Sequence, residues 1–388
     1  MEKRLFFYSL EFTQKSLHYR SIPVLFWGQG YEDGTKPFVD MREDGSVVFY
    51  ADIIASTFFM LSRWEETVVN VRDQHGRFPA TASVAFKQGF LHQPIVDEYA
   101  LILSAWIRVL LPQWSPREGS FSIKLSHDID MVRRFPNPYR AALTIAADII
   151  KRRNPSDAWH NLRTIIPYLD PVFASIYRLS DLSLQYGMKS AFHFMAATAS
   201  SYDIGYDVFS PHVKRCIREL QLRGHEIGFH ASYRSLNDLS RLAAEKAKLD
   251  AAAGTTSHGG RQHYLRFQVP YTWRHWEQLK FTYDSTMGYA DHEGFRCGTC
   301  YSYRPFDIQA NREINLWERP LIVMDATLWH YRNFTPSDGL RKIIGLALQC
   351  KQVRGTFILL WHNTSLKKEF GPWIGTYERA LKTLSTMA

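Results

Sequence analysis

The sequence predicts an α/β protein: a (β/α) barrel of about seven units, preceded by a smaller α+β domain. Three observations predict it. From residue 120 onward short apolar runs alternate with helix-like segments, the pattern of βαβ units and a parallel sheet. Before that point Gly/Asp turns and mixed segments prevail. Between the two regions Pro112-Gln-Trp-Ser-Pro116-Arg-Glu-Gly119 carries the Pro and Gly of a boundary. The domains are therefore read as 1–118 and 119–388.

In the first region Asp33-Gly34 and Asp44-Gly45 mark turns, Ser46–Tyr50 reads as a strand, Ala51–Trp64 as a helix and 97–110 as another. In the second, Phe121–Ser126 is the first strand, followed by a helix near 138–152. A helix at 171–186 leads to strand Ser190–Phe194, and helix 211–222 to Glu226–His230. Asn237-Asp238 caps a helix that runs to Ala253, with Gly254 after it. Tyr264–Phe267, a helix holding Trp273 and Trp276, and strand Leu321–Met324 come next. Helix 337–352, strand Thr356–Trp361 and a helix over 372–386 complete the chain. Six or seven such units in one region suit a barrel; an open doubly wound sheet is the alternative.

Composition narrows the function. The chain has 388 residues, 45% of them hydrophobic, and no apolar run of membrane-spanning length. Its N-terminus, MEKRLFFYSLEF, meets Glu11 and Lys15 too soon for a secretory core. A cytoplasmic protein, peripheral to a membrane at most, is expected. The net charge of +9 favours an acidic partner such as a phosphate-bearing substrate or an anionic membrane face. The basic residues are scattered, Lys151-Arg152-Arg153 reads as a solvated face, and no zinc-finger, RNP or P-loop pattern accompanies it, so no nucleic acid is expected. Four cysteines are too few for a disulfide scaffold, and Cys297-Gly-Thr-Cys300 reads as two thiols in a packed loop.

Chemistry-bearing residues stand at predicted strand ends, where barrels place their sites. They are Asp128 and Asp130 after the first strand, then His230, Arg261, Tyr264 and His362. Asp128 and Asp130 are two apart, so they share a face while His127 and Ile129 take the other. Two carboxylates on one face call for a cation beside them, either a divalent metal or an arginine.

Asp128-Ile-Asp130, Gly224-His-Glu-Ile-Gly-Phe-His230, Arg261-Gln-His-Tyr264 and Leu359-Leu-Trp-His362, in this order, resemble the polysaccharide deacetylases, metal-dependent carbohydrate esterases on a distorted barrel. More closely the chain is similar to the deacetylase-like proteins of bacterial surface-polysaccharide clusters. Those carry an added N-terminal region with phrases like Leu61-Ser-Arg-Trp-Glu-Glu66 and Pro94-Ile-Val-Asp-Glu-Tyr99. Tyr283-Asp-Ser285, Gly294-Phe-Arg-Cys-Gly-Thr299 and Trp361-His-Asn363 extend the likeness. The resemblance implies removal of an acetyl group from an N-acetylated sugar in surface-glycan (lipopolysaccharide or O-antigen) biosynthesis, on a lipid- or nucleotide-linked precursor. It implies Asp128 as general base, Asp130 and His230 as metal ligands, and Arg261 as the partner that orients the base. Tyr264 would hold the oxyanion through its backbone, and His362 would act as general acid.

The family's second metal histidine falls at Arg234, which cannot ligate because it stays protonated. Three outcomes stay open: replacement by His127, His193 or His263; a zinc-like divalent ion on Asp130, His230 and waters; or no metal, with Arg234 supplying the charge. Arg296 is a candidate for gripping a substrate anion or, alternatively, for an ion pair with an acid such as Asp291. Asp325 is a candidate for orienting His362. Trp273, Trp276 and Trp361 are candidates for stacking on sugar rings. Besides the deacetylase, a metal-free C–N hydrolase and a non-catalytic glycan-binding protein remain as alternatives.

Overall fold

The computed structural model describes residues 6–9, 21–31, 36–116, 119–135, 138–197, 200–366 and 371–387. The Asp33-Gly34 turn lies outside the described residues. In the N-terminal region β1 (Phe6–Ser9) pairs antiparallel with β2 (Ser21–Val24), and β3 (Val39–Met41) with β4 (Val47–Phe49). The β3–β4 turn follows from its sequence: Gly45 takes φ 80°, and Asp44 accepts the Ser46 N–H at 2.9 Å. Helices α1 (Ile53–Leu61), α2 (Trp64–Val68), α3 (Val84–Lys87) and α4 (Ile95–Leu110) follow. Asp52 and Ser83 cap the first and third through their side chains. Phe38, Met60, Phe78, Phe90, Tyr99 and Ile102 form the core of this region, together with Tyr289 from the second.

The second region is a sheet of eight strands, every pair parallel. They are β5 (Ser122–Ile129), β6 (Ser190–Met195), β7 (Glu226–Ala231), β8 (Gly259–Gln262), β9 (Tyr283–Asp284), β12 (Trp317–Glu318), β13 (Val323–Met324) and β14 (Thr356–Leu360). A small antiparallel pair, β10 (Phe306–Asp307) and β11 (Arg312–Glu313), lies between β9 and β12. The order β12-β9-β8-β7-β6-β5-β14-β13 never reverses, so the sheet is singly wound, not doubly wound. Laid flat, its edges would stand about 34 Å apart at ~4.8 Å per strand. Yet Glu318 and Val323, on the two edge strands, are five residues apart, a reach of at most ~18 Å. The sheet must curl into a barrel, open at the β12–β13 seam. Helices α5 (Pro138–Ile150), α6 (Pro155–Arg163), α7 (Pro171–Gln185), α8 (Pro211–Leu222), α9 (Leu239–Ala253), α10 (Tyr271–Gln278), α11 (Pro336–Gln352) and α12 (Gly371–Ser385) accompany it.

Three details depart from the sequence reading. The strand expected at Tyr264–Phe267 is β8, five residues earlier, and His263–Leu265 is a tight turn. Propensity hides β8 because it opens on Gly259-Gly260. Both glycines are required by space: a Cβ would come 2.3 Å from the Tyr283 ring at Gly259 and 1.7 Å from Phe229 O at Gly260. A second helix, α6, follows α5 before the chain returns to the sheet.

The N-terminal phrases prove to be anchors between the two regions. Arg63 and Arg296, both buried, converge on buried Glu66: Arg63 Nε donates to Oε1 at 2.9 Å, and Arg296 donates from Nε at 2.9 Å and Nη2 at 2.6 Å. Asp97 accepts from Thr299 Oγ1 at 2.5 Å and from the Cys300 N–H at 2.9 Å. All four cysteines are free and buried. No described helix is long and apolar enough to cross a membrane.

Candidate functional site

The carboxyl ends of the strands surround a cavity of about 240 Å³. Strand β5 reaches Ile129, so Asp128 stands inside the strand and Asp130 just beyond it. Both line the cavity. His127 points the other way, packed on the Phe192 ring and donating from Nδ1 to Trp361 O at 2.8 Å.

Asp128 is buried. Its Oδ1 accepts from Arg261 Nη1 at 2.9 Å and from His193 Nδ1 at 2.8 Å. Arg261 is held in turn: Nε donates to Ser285 O at 2.7 Å and Nη2 to Ser126 Oγ at 3.1 Å. Burial alone would raise the Asp128 carboxyl. Arg261 and then His230 outweigh it and hold it well below the usual carboxylate range.

Asp130 Oδ1 lies 3.1 Å from His230 Nε2 and 3.6 Å from His263 Nε2. Burial opposes its ionisation, but the His230 hydrogen bond, then His263 and His362, bring it to about 2. The far side of each imidazole is fixed. His230 Nδ1 donates to Arg261 O at 3.0 Å, and His263 Nδ1 to buried Asp203 Oδ1 at 2.8 Å. Both Nε2 atoms are thus aimed at one carboxylate oxygen. Burial would lower the His230 pKa, yet Asp128 and Asp130 raise it.

His362 closes the opposite wall. Asp325, at the end of β13, accepts its backbone N–H at 2.8 Å and its Nδ1–H at 2.6 Å. His362 Nε2 stands 3.8 Å from Asp130 Oδ2. Burial opposes the charge, but Asp325, Asp130 and Asp128 lift His362 to about 10. Beyond it, one π-helical turn, Thr327–Tyr331, brings His330 and Tyr331 to the rim.

Asp128, Asp130, His230, Tyr264 and His362 line the one cavity, and Arg261 touches it through Asp128. Tyr264 sits at φ 62°, in the left-handed region. Three expected site residues are placed elsewhere. Arg234 is exposed on the turn after β7 and does not line the cavity. Arg296 is spent on Glu66, not on a substrate and not on Asp291. Trp361 is fully buried and stacks on Tyr377 at 4.7 Å. Trp273 and Trp276 are core residues too. The aromatic surface of the cavity is instead tyrosine, Tyr264 and Tyr331.

Among the three histidines left open as replacement ligands, His263 is the one the structure brings beside Asp130 and His230. Asp130, His230 and His263 bring one ligand atom each within 4.8 Å of one another. Asp130 Oδ1 and His230 Nε2 are buried and, beyond their 3.1 Å approach to each other, meet no other hydrogen-bonding group, an arrangement that suits a cation between them. The donor set, one carboxylate and two imidazoles with their outer nitrogens tied down, suits a divalent ion of the zinc type. His263 hides in sequence because it follows Arg261 by two residues on β8 and its turn, 33 positions after His230. Arg77 was also invisible: from the N-terminal region it lines the cavity and donates to Tyr264 O at 2.9 Å and Tyr331 Oη at 3.2 Å.

A model of a family of unknown function, DUF7033, matches residues 2–112. No curated protein sequence matches the chain. Several solved structures share part of its shape. One, from Mycobacterium smegmatis and described as a polysaccharide deacetylase, is 14% identical, with a TM-score of 0.46 over 71% of this chain and 87% of its own. Another, Puue allantoinase, is 13% identical, with a TM-score of 0.43 over 71% and 87%. A Bacillus anthracis pseudoenzyme of the CE4 family is 10% identical, with a TM-score of 0.35 over 71% and 63%.

Proposed function

We propose that this protein is a hydrolase that removes the acetyl group from an N-acetylated sugar on a precursor of a bacterial surface glycan. One observation carries the reading. Asp128 on its Arg261 and His362 on its Asp325 face each other across a single cavity, with Asp130, His230 and His263 between them. Amide hydrolysis needs a base for the attacking water, a polarised carbonyl and a proton for the leaving nitrogen. Asp128 takes the proton from the water. Arg261 fixes that carboxylate in place but also makes it a weak base, so the water it serves must be acidified. A divalent ion held by Asp130, His230 and His263 would supply that acidity and polarise the carbonyl. His362, charged across the neutral range because Asp325 stands behind it, delivers its Nε2 proton to the departing amine. Tyr264 and Tyr331 offer ring faces to the sugar, and Arg77 braces both.

Acetate release from N-acetylhexosamine oligomers tests the proposal, with zinc present and after chelation. Turnover that Asp128→Asn abolishes supports it. A well-folded, metal-loaded protein that releases no acetate from any such sugar overturns it. A second reading, a metal-free C–N hydrolase, rests on His230: as an imidazolium between Asp128 and Asp130 it would itself neutralise the acids. Turnover of an amide that survives chelation would favour that reading.

A further inference from the structure

Helices α5 and α6 form a hairpin built the wrong way round for a water-soluble surface. Its inner face is small or polar: Ala141, Ala158 and Asn161 are buried, and Asp148 accepts from Asn161 Nδ2 at 2.6 Å and Arg152 Nη1 at 2.5 Å. Its large apolar side chains turn outward. Tyr139 is 70% exposed, Ile150 77% and Trp159 63%, and Ile149, Ile165 and Ile166 are more than half exposed. A hydrophobic surface of this density is not left to water without a partner.

Both ends of the hairpin stand at the carboxyl side of the sheet, where Asn363 Nδ2 donates to Met131 O at 2.9 Å and to Val172 O at 3.2 Å. The hairpin is inserted between β5 and α7, so it leaves and rejoins the chain at the carboxyl end of β5, beside Asp130. The Arg134 N–H donates to buried Asp170 Oδ2 at 2.7 Å and closes its base.

Charge identifies the occupant. Between 138 and 169 stand five basic residues, Arg140, Lys151, Arg152, Arg153 and Arg163, against two acids, Asp148 and Asp157. Asp148 is turned inward. A second copy packed on this face would set like charges against each other. An anionic bilayer meets all of it: isoleucines for the acyl boundary, Trp159 and Tyr139 for the headgroup level, and cations for the phosphates. We infer that the 138–169 hairpin is the surface by which this protein lies on an anionic membrane, which brings the cavity to lipid-anchored glycans. The docking surface stands on its own observations; the glycan half rests on the function proposed above.

The test uses the full chain and vesicles of phosphatidylcholine with about one third phosphatidylglycerol, against phosphatidylcholine alone. Wild type should sediment with the anionic vesicles, and raised salt should release it. Ile150→Asp with Trp159→Asp, or Lys151→Glu with Arg153→Glu, should weaken binding by about tenfold or more while circular dichroism is unchanged. Absence of wild-type binding, or equal binding by both folded variants, overturns the inference. So does a dimer in solution that the apolar variant dissolves, since a second copy would then be the occupant. Acetate release is read separately. Ile150→Asp with Trp159→Asp should slow it on a lipid-linked N-acetylhexosamine in vesicles and leave a soluble oligomer unaffected. If neither sugar is hydrolysed, the proposed activity fails and vesicle binding still decides the docking.

Discussion

His362 and Asp325 are joined twice: the Asp325 carboxylate takes the backbone N–H of His362 at 2.8 Å and its Nδ1–H at 2.6 Å. The two groups come from neighbouring strands, β14 and β13, so the sheet register itself sets the imidazole's direction. The carboxylate also sets its charge. A histidine lifted to about 10 keeps its proton through the neutral range. Asp325→Asn removes the larger part of that lift. The alkaline limb of the kcat profile should therefore move toward neutral pH, and kcat at pH 7 should fall more than KM changes. A pH–rate series on both proteins checks this.

Asp128→Asn keeps the shape of the side chain and removes its basicity. Turnover should fall by about a thousandfold. Loss of the charge partner should leave Arg261 buried beside a neutral amide, so some stability is lost as well. Thermal melting and acetate release, measured together, separate the two effects. Unchanged turnover would remove Asp128 from the reaction.

His263 and its support make a different prediction. His263→Ala should sharply weaken zinc binding in a competition titration. Asp203→Asn, which weakens the anchor of the His263 ring along with the carboxylate's contacts to Tyr233 N–H and Ser200, should weaken it by about 10- to 100-fold. Arg234→Ala, on the exposed turn, should leave it unchanged. Equal zinc affinity in all three would show that the ion, if it binds, sits elsewhere.

Glu66 should matter for stability, not chemistry. Burial opposes its charge, yet Arg296 and Arg63 hold its pKa at about 2. A carboxyl depressed in the folded state stabilises it above the unfolded-state value near 4.5, and that contribution fades as pH falls toward 2. Glu66→Gln strands two buried guanidinium groups and should cost about 3–5 kcal/mol. Chemical denaturation at pH 7 measures the loss. The difference from wild type should shrink in acid as the native carboxyl protonates.

The fold was legible wherever periodicity and burial agree. Strands β6, β7 and β14 are compact, largely apolar runs, β5 alternates polar and apolar residues as far as Leu125, and their helices carry clear caps such as Asp238 with Gly254. Strand β8 was displaced because close backbone approach, not side-chain preference, makes it glycine-rich. Two-residue strands such as β9 and β12 are too short to leave a pattern. At the cavity, strand-end spacing located Asp128, Asp130, His230 and His362, because a strand fixes direction every second residue. It could not single out His263 from His127 and His193, since its contact with Asp130 depends on the turn after β8, nor find Arg77, which arrives from another part of the chain. It also gave Arg296 and Trp361 to the substrate, since sequence does not distinguish a charge or ring facing a cavity from one enclosed by a neighbouring segment.

Arg77 makes the smaller region a part of the larger one's working surface. Its guanidinium spans from Tyr264 on one wall to Tyr331 on the opposite rim, anchored at its root by Asp73. Grafting residues 1–112 from a relative would thus exchange a clamp across the entrance along with the scaffold. Selectivity in such chimaeras would travel with the donor of that segment, even where every barrel residue stayed the same.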